Sequence, residues 1–271
     1  MKYLLFFILS FFSISLYSQK VDVQIYYENS DNGYYVYADN NEYCPSSVKI
    51  IFDLENLKTL DGKESIYVIP QQSKKHLITE LKVKNPKKGY KFSFKYSIVL
   101  GDHTVKDYDE DFLYYLPFKK SNTFSMDQGY DGDFSHQNIN ALDFTMPVGT
   151  ELTAIRDGIV VRVVEKNSKH CEDRSCAQYA NNILIYHSDG TFSDYVHIKK
   201  NGSKMKVGDK VKQGQHIGYS GNVGWTTGPH LHIEVFLPRI DHRETLKTKF
   251  LIDDGKKAEF LKVDTKYSRD Y

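Results

Sequence analysis

The chain reads as all-β: an N-terminal β-sandwich of immunoglobulin-like type, then a glycine-punctuated antiparallel β region. Three observations predict this. Short apolar or alternating runs recur along residues 21–100, separated by polar turn residues. Tyr and Phe are frequent, 21 and 16 in 271 residues, which suits pleated, half-buried strands more than helices. Ten of the 17 glycines fall between positions 149 and 228, a density that marks tight turns between short strands. No long amphipathic helical pattern follows the first 18 residues.

Residues 1–18 have the layout of a secretory signal. Lys2 supplies the positive start, and 4–16 is an almost unbroken apolar run, too short for a comfortable membrane span. Cleavage after Ser15 or Ser18 would leave a small residue at the cut. No cysteine follows closely enough to take a lipid, and no later stretch is long and apolar enough to span a bilayer. The expected product is exported, without stable membrane insertion.

Residues 19–118 form the expected sandwich. Its strand candidates are 21–27, 34–37, 48–52, 65–69, 76–83 and 90–100. Six or seven short strands in about 100 residues is the sandwich signature. His76 and His103 stand alone there and read as surface residues.

Residues 119–271 form the second expected domain. Asp157-Gly158 and Asp189-Gly190 each sit between apolar runs, a hairpin signal. The stretch 207–218 repeats small turns around single apolar residues, as in biotinyl and lipoyl carriers. It lacks a modifiable lysine in the hairpin context, so only the β architecture is shared. Residues 248–252 and 258–263 are candidates for closing strands.

The chemistry gathers in three segments of this second domain. His136 precedes Asp143 by seven positions; His197 lies in Tyr-Val-His; His230-Leu-His232 follows a Gly-Pro entry and opens a strand-like run. Side chains at i and i+2 share one face of a strand, so His230 and His232 point into the same space. Catalytic zinc takes three His or carboxylate ligands and leaves a position open. His136, Asp143 and one histidine of the pair would fill the three. The remaining histidines could act as general base and oxyanion donor. A lone His-x-His is weak evidence in a chain with 10 histidines; the coincidence of three segments carries the reading. His170, His187, His216 and His242 have no partners at ligand spacing.

The segments 136–150 and 220–235 resemble the lysostaphin-type (LytM-like) zinc metallopeptidases, bacterial enzymes that cut peptide cross-links in peptidoglycan. The resemblance covers about residues 120–240. It rests on the His…Asp pair, Tyr195-Val196-His197, and Ser220-Gly-Asn-Val-Gly224 running into Thr227-Gly-Pro-His-Leu-His232. It implies a LytM-like β domain with one Zn2+ held by His136, Asp143 and His232, and His197 and His230 as the catalytic pair. Asn222, Thr226 and Thr227 are loop candidates for substrate contact. One departure stands out: many members have His-x-x-x-Asp, and here six residues intervene. Every ligand position is filled, which favours an endopeptidase over the alternative, a non-hydrolytic wall-binding regulator of another hydrolase.

Without Lys2 the basic and acidic residues are equal in number, which gives no support for nucleic-acid binding. Cys171 and Cys176 flank a polar loop, and in an oxidising compartment they are expected to pair. Cys44 is left as a small buried hydrophobe.

Overall fold

A computed structural model describes residues 21–271; the signal-like segment 1–18 lies outside the described residues. The fold is nearly all β, 52% strand and 4% helical. Among the described residues no helix is long and apolar enough to cross a membrane.

The first region carries seven strands: β1 (Val23–Ser30), β2 (Gly33–Asn40), β3 (Ser46–Glu55), β4 (Leu57–Lys58), β5 (Glu64–Ile69), β6 (Ser73–Val83) and β7 (Lys91–Leu100). They form two sheets, β1-β2-β6-β4 and β5-β3-β7. Both sheets feed one core, which joins Val36, Ala38, Leu57 and Leu81 to Val48, Ile50, Phe52 and Ile69. The alternation in Val48-Lys-Ile-Ile-Phe52 and Val36-Tyr-Ala38 supplies the inward faces. The β1–β2 connection is the two-residue turn Asp31-Asn32, with Ser30 paired to Gly33. Gly33 adopts φ 138, and a Cβ there would fall 1.8 Å from Leu81 O.

Among the six longer strands, with the two-residue β4 set aside, the second pairs with the fifth (β2 with β6) and the third with the sixth (β3 with β7), as in the expected immunoglobulin-like order. The fourth, β5, departs from it: it lies on β3 and not beside β6. Alternation specifies which side chains face inward, not which strand lies alongside. That choice is made by long-range pairing, and the two-residue β4, invisible to pattern reading, takes an edge.

The second region is built on a long sheet with strand order Lys210–Val211, Gly158–Val164, Asn182–Tyr186, Phe192–Val196, His230–Pro238, Ala141–Thr145, Thr123–Gln128, Thr265–Ser268. Its two faces differ. Leu231, Ile233, Val235 and Leu237 point into the main core with Phe144, Tyr195, Ile183 and Ile217. That core also contains Tyr114, Leu116 and Phe118, so a cut between 118 and 119 would remove three of its large side chains. The opposite face carries His230, His232, Glu234 and Phe236 at alternate positions of the same strand.

The N-terminal region covers one end of this second face. Cys44 and Leu100 pack against Val161, Leu184, Phe192 and Phe236, and Phe192 stacks on Phe236 at 5.3 Å. Arg239 donates through Nη1 to the carbonyls of His103 (3.1 Å) and Val105 (2.9 Å). Cys44 is fully buried there, and burial pushes its thiol up to about 12.

Candidate metal centre

Two strand registers place the site. Asp143 lies directly opposite His232, and Thr145 opposite His230. On the other side of the central strand Val196 lies opposite His232. Residues opposite one another share a face, so the Asp143 carboxylate and the His232 imidazole meet, with His232 Nδ1 2.9 Å from Asp143 Oδ1.

His136 arrives from a folded loop, which explains its long spacing to Asp143. Asp131 N donates to Ile139 O at 2.9 Å, Ile139 N donates to His136 O at 2.8 Å, and the Asp131 carboxylate accepts from Asn138 N at 2.8 Å. The extra residues are thus taken up as a turn. His136 is fully buried, and its Nδ1–H donates to Gly129 O at 2.9 Å. That leaves a lone pair on Nε2, which faces Asp143 Oδ2 at 3.3 Å and His232 Nδ1 at 3.2 Å. Gln128 Nε2 donates to the same Oδ2 at 2.8 Å.

One ligand atom each from His136, Asp143 and His232 lie within 4.8 Å of one another. The donor set tests well for a cation. His136 Nε2 and the Asp143 oxygens are acceptors converging on one point, and a single His232 proton cannot satisfy them all. Two imidazoles and a carboxylate suit a borderline metal ion. Electrostatics agree: burial alone would raise the Asp143 carboxyl, but the His136 and His232 rings against it overcome this and hold it well below the usual range. Burial opposes charge on His232, and the Asp143 hydrogen bond outweighs it, so His232 is raised.

His197 and His230 stand beside this cluster, with ring centroids 4.5 Å apart. His197 is one residue past its strand and adopts φ 66. This left-handed conformation costs a non-glycine residue about 1–2 kcal/mol. It interrupts the alternation that would send the ring to the core face. His197 Nδ1–H donates to Val223 O at 2.8 Å, and His230 Nδ1–H to Gly228 O at 2.8 Å. Both rings therefore keep Nε2 free as a base; His230 Nε2 is 3.9 Å from Asp143 Oδ1. Burial, then the neighbouring His230, push His197 down to about 3, so it is neutral at ordinary pH.

The cluster opens into a cleft of about 1640 Å³, lined by His197, His230, His232, Thr226 and Thr227 among others. Thr227 is exposed on it. Thr226 is 3% exposed, and its hydroxyl turns back to Gly228 O and Asn222 Oδ1. Asn222 is absent from the lining. Thr226 and Asn222 are thus loop braces in this structure, where the sequence suggested substrate contacts. Cys171 and Cys176 are joined by a disulfide.

Sequence reading missed the rest of the cleft floor. Arg243 binds Asp194 (Nη1–Oδ2 2.8 Å) and Glu234, and all three line the cleft. Glu234 was findable, being two residues past His232 on the same face. Arg243 carries no such signal. Gln128 sits opposite Asp143 in the neighbouring strand, and nothing local marks it. Phe134, in a turn, and Trp225, in the two-residue strand Gly224–Trp225, stand 6.0 Å apart in the lining of the cleft.

Residues 137–244 match the model of Peptidase family M23; the match begins one residue after His136 and contains the other four site residues. A peptidoglycan DD-endopeptidase, ShyA, of Vibrio cholerae is 38% identical over 98 residues, 36% of this chain and 20% of that protein. The glycyl-glycine endopeptidase ALE-1 of Staphylococcus capitis is 39% identical over 98 residues, 36% of this chain and 24% of that protein. The chain therefore spans a quarter or less of the length of these relatives. The solved catalytic domain of lysostaphin from Staphylococcus simulans is 26% identical, covering 46% of this chain and 88% of that one, with a TM-score of 0.34.

Proposed function

We propose, from the peptidase family M23 domain that residues 137–244 of this chain constitute, that the protein is a zinc-dependent endopeptidase that hydrolyses peptide cross-links of bacterial peptidoglycan. The observation that carries this is the convergence of His136, Asp143 and His232 to within 4.8 Å, with the imidazoles of His197 and His230 beside them. Relatives named for peptidoglycan and glycyl-glycine cleavage support the substrate class.

His136, Asp143 and His232 would hold the zinc, which when bound supplies a Lewis acid and acidifies water toward neutral pH. The chain's own residues do the remaining work. Gln128 holds one Asp143 oxygen and so orients the carboxylate. His197 and His230 each spend Nδ1–H on a backbone carbonyl and present Nε2 as a proton acceptor. One of them takes a proton from the attacking water as its oxygen bonds to the amide carbon. Protonated, it becomes a donor, first to the developing oxyanion and then to the leaving nitrogen as the C–N bond breaks. The products are one new carboxylate and one new amine.

The signal-like start at 1–18 and the substrate class support export to the cell envelope. The division of the chain best supported by core membership falls near residue 104, since Tyr114, Leu116 and Phe118 belong to the second core. Purified metal-loaded protein incubated with peptidoglycan, followed by mass analysis of muropeptides, tests the reading. New amine ends are expected. Intact cross-links with retained wall binding would instead fit a regulator.

A further inference from the structure

The segment closed by the Cys171–Cys176 disulfide is not part of the metal cluster, yet it is tied to it through the backbone. His170 and Cys171 pair in parallel with Gly224 and Trp225. Gly224 N donates to Lys169 O at 2.9 Å, and Thr226 N donates to Cys171 O at 3.1 Å. The Trp225 indole N–H donates to Glu172 O, inside the bridged segment, at 3.0 Å. The bridge ends inside a short 3-10 turn, Arg174–Tyr179, capped by Asp173 Oδ1 accepting from Ser175 N at 2.9 Å. Cys176 is fully buried.

From Thr226 the connection continues to a ring that the proposed reaction uses. The Thr226 hydroxyl donates to Gly228 O at 2.6 Å and accepts from Gly228 N at 3.1 Å. Gly228 O is also the acceptor for His230 Nδ1–H at 2.8 Å. The Thr226 hydroxyl is itself 3.4 Å from that Nδ1. So one carbonyl is held from behind by a buried hydroxyl, and it fixes the tautomer of His230. Glycine and its neighbours in Thr-Gly-Pro have little else to hold that carbonyl in place.

We infer that Thr226 is a positioning residue for His230, and that the Cys171–Cys176 bridge is the brace that holds Thr226. The bridge shortens the free chain on the far side of the ladder, so the strand pair Cys171–Trp225 keeps its register. The ladder sets Thr226; Thr226 sets Gly228 O; Gly228 O keeps the proton on His230 Nδ1 and leaves Nε2 basic. Opening the bridge therefore loosens a proton-transfer group without touching His136, Asp143 or His232. The inference rests on the proposed peptidase reading for its catalytic consequence, and on geometry alone for the tautomer.

The test uses the full-length, metal-loaded protein with Thr226→Val and Thr226→Ser. Three readouts are taken: kcat and KM on a cross-linked muropeptide dimer, the imidazole nitrogen-15 spectrum of His230, and the emission of Trp225, the sole tryptophan of the chain. Thr226→Val should lower kcat ~10- to 100-fold, because a small misplacement of a reacting group is costly, with KM and metal content unchanged and both His230 tautomers populated. Thr226→Ser, which keeps the hydroxyl, should restore the single tautomer and turnover. A non-chelating phosphine reductant should red-shift Trp225 emission and mix the tautomers, and reoxidation should reverse both. Equal losses in the Val and Ser variants, or an unchanged His230 tautomer in the Val variant or the reduced protein, would overturn the inference. A wild type that cleaves no cross-link sinks the peptidase reading alone, and the tautomer results then decide the brace.

Discussion

One face of the long sheet has two ends with opposite chemistry. At one end His232, Asp143 and Val196 lie side by side; four residues further along the same strand, roughly 13 Å at strand rise, Phe236 stacks on Phe192 beneath Cys44 and Leu100. The polar end stays open as a cleft, and the apolar end is sealed by the N-terminal region. Both ends are largely buried, but for different reasons. Covering Phe192 and Phe236 is favourable by hydrophobic transfer alone. Burying Asp143 is costly and is offset only by the polar groups that meet it, the His136 and His232 rings and the Gln128 amide. Strand alternation delivers side chains to a face without regard to what they do there. Function at one end and docking at the other are decided by what comes to meet the face.

This contrast can be broken first at the polar end. Asp143→Ala or His232→Ala should lose bound metal and all measurable cleavage, read by metal analysis beside a muropeptide assay. Zinc lost from His230→Ala but kept by His232→Ala would reverse the assigned roles. Next, His197→Ala and His230→Ala should keep near-stoichiometric metal and lose ~10²–10⁴-fold in kcat, the usual worth of a positioned acid or base.

At the apolar end the expectation inverts. Phe192→Ala should cost about 3–5 kcal/mol of stability through lost burial and a residual cavity. In thermal unfolding Tm should drop, while kcat of the remaining folded enzyme in the cold stays near wild type. A large loss of kcat without a stability change would mean that the seam controls the site directly. A related measurement compares fragments starting at 104 and at 119. The shorter one lacks Tyr114, Leu116 and Phe118 and should fold poorly, as judged by amide-proton dispersion.

The smallest expected effect lies just past the apolar end, where His187 N donates to Thr191 O one step beyond the Tyr186–Phe192 pair. His187 is fully buried, with Nδ1–H donating to Asp157 O at 2.7 Å and Nε2 3.0 Å from Ser193 Oγ. Burial pushes it down from 6.5 to about 4. The unfolded chain therefore takes up a proton near pH 6.5 that the folded chain refuses until about pH 4. Stability contributed by the neutral ring is complete above pH 6.5 and declines as pH falls through that window, by up to about 3 kcal/mol. In His187→Gln the part of the denaturation-midpoint slope between pH 6.5 and 4 due to this group should vanish; an unchanged slope would remove His187 from the acid response.

Much of this was legible in the sequence, and the boundary of legibility is physical. Period-two runs located six of the first seven strands, and the i, i+2 rule put His230 and His232 on one face. Periodicity could not say that β5 lies on β3, because pairing partners are chosen at long range. Nor could it find Gln128, Arg243 or Asp194, which matter through the strand or loop that lies beside them. His197 was legible as a residue type but not as a geometry, since its φ of 66 breaks the alternation used to read its neighbours. Asn222 and Thr226 looked like contact residues because polar loop residues often are; here the hydroxyl of Thr226 is spent on its own loop.

The seam around Cys44 also bears on how this domain can travel. A catalytic sheet cut free of residues 21–103 would carry Leu184, Phe192 and Phe236 bare on the same surface as its cleft. Such a patch invites self-association. Chimeras that graft the second region onto a different partner domain should therefore need new polar residues at those three positions, or must bring the N-terminal region along as a built-in cover.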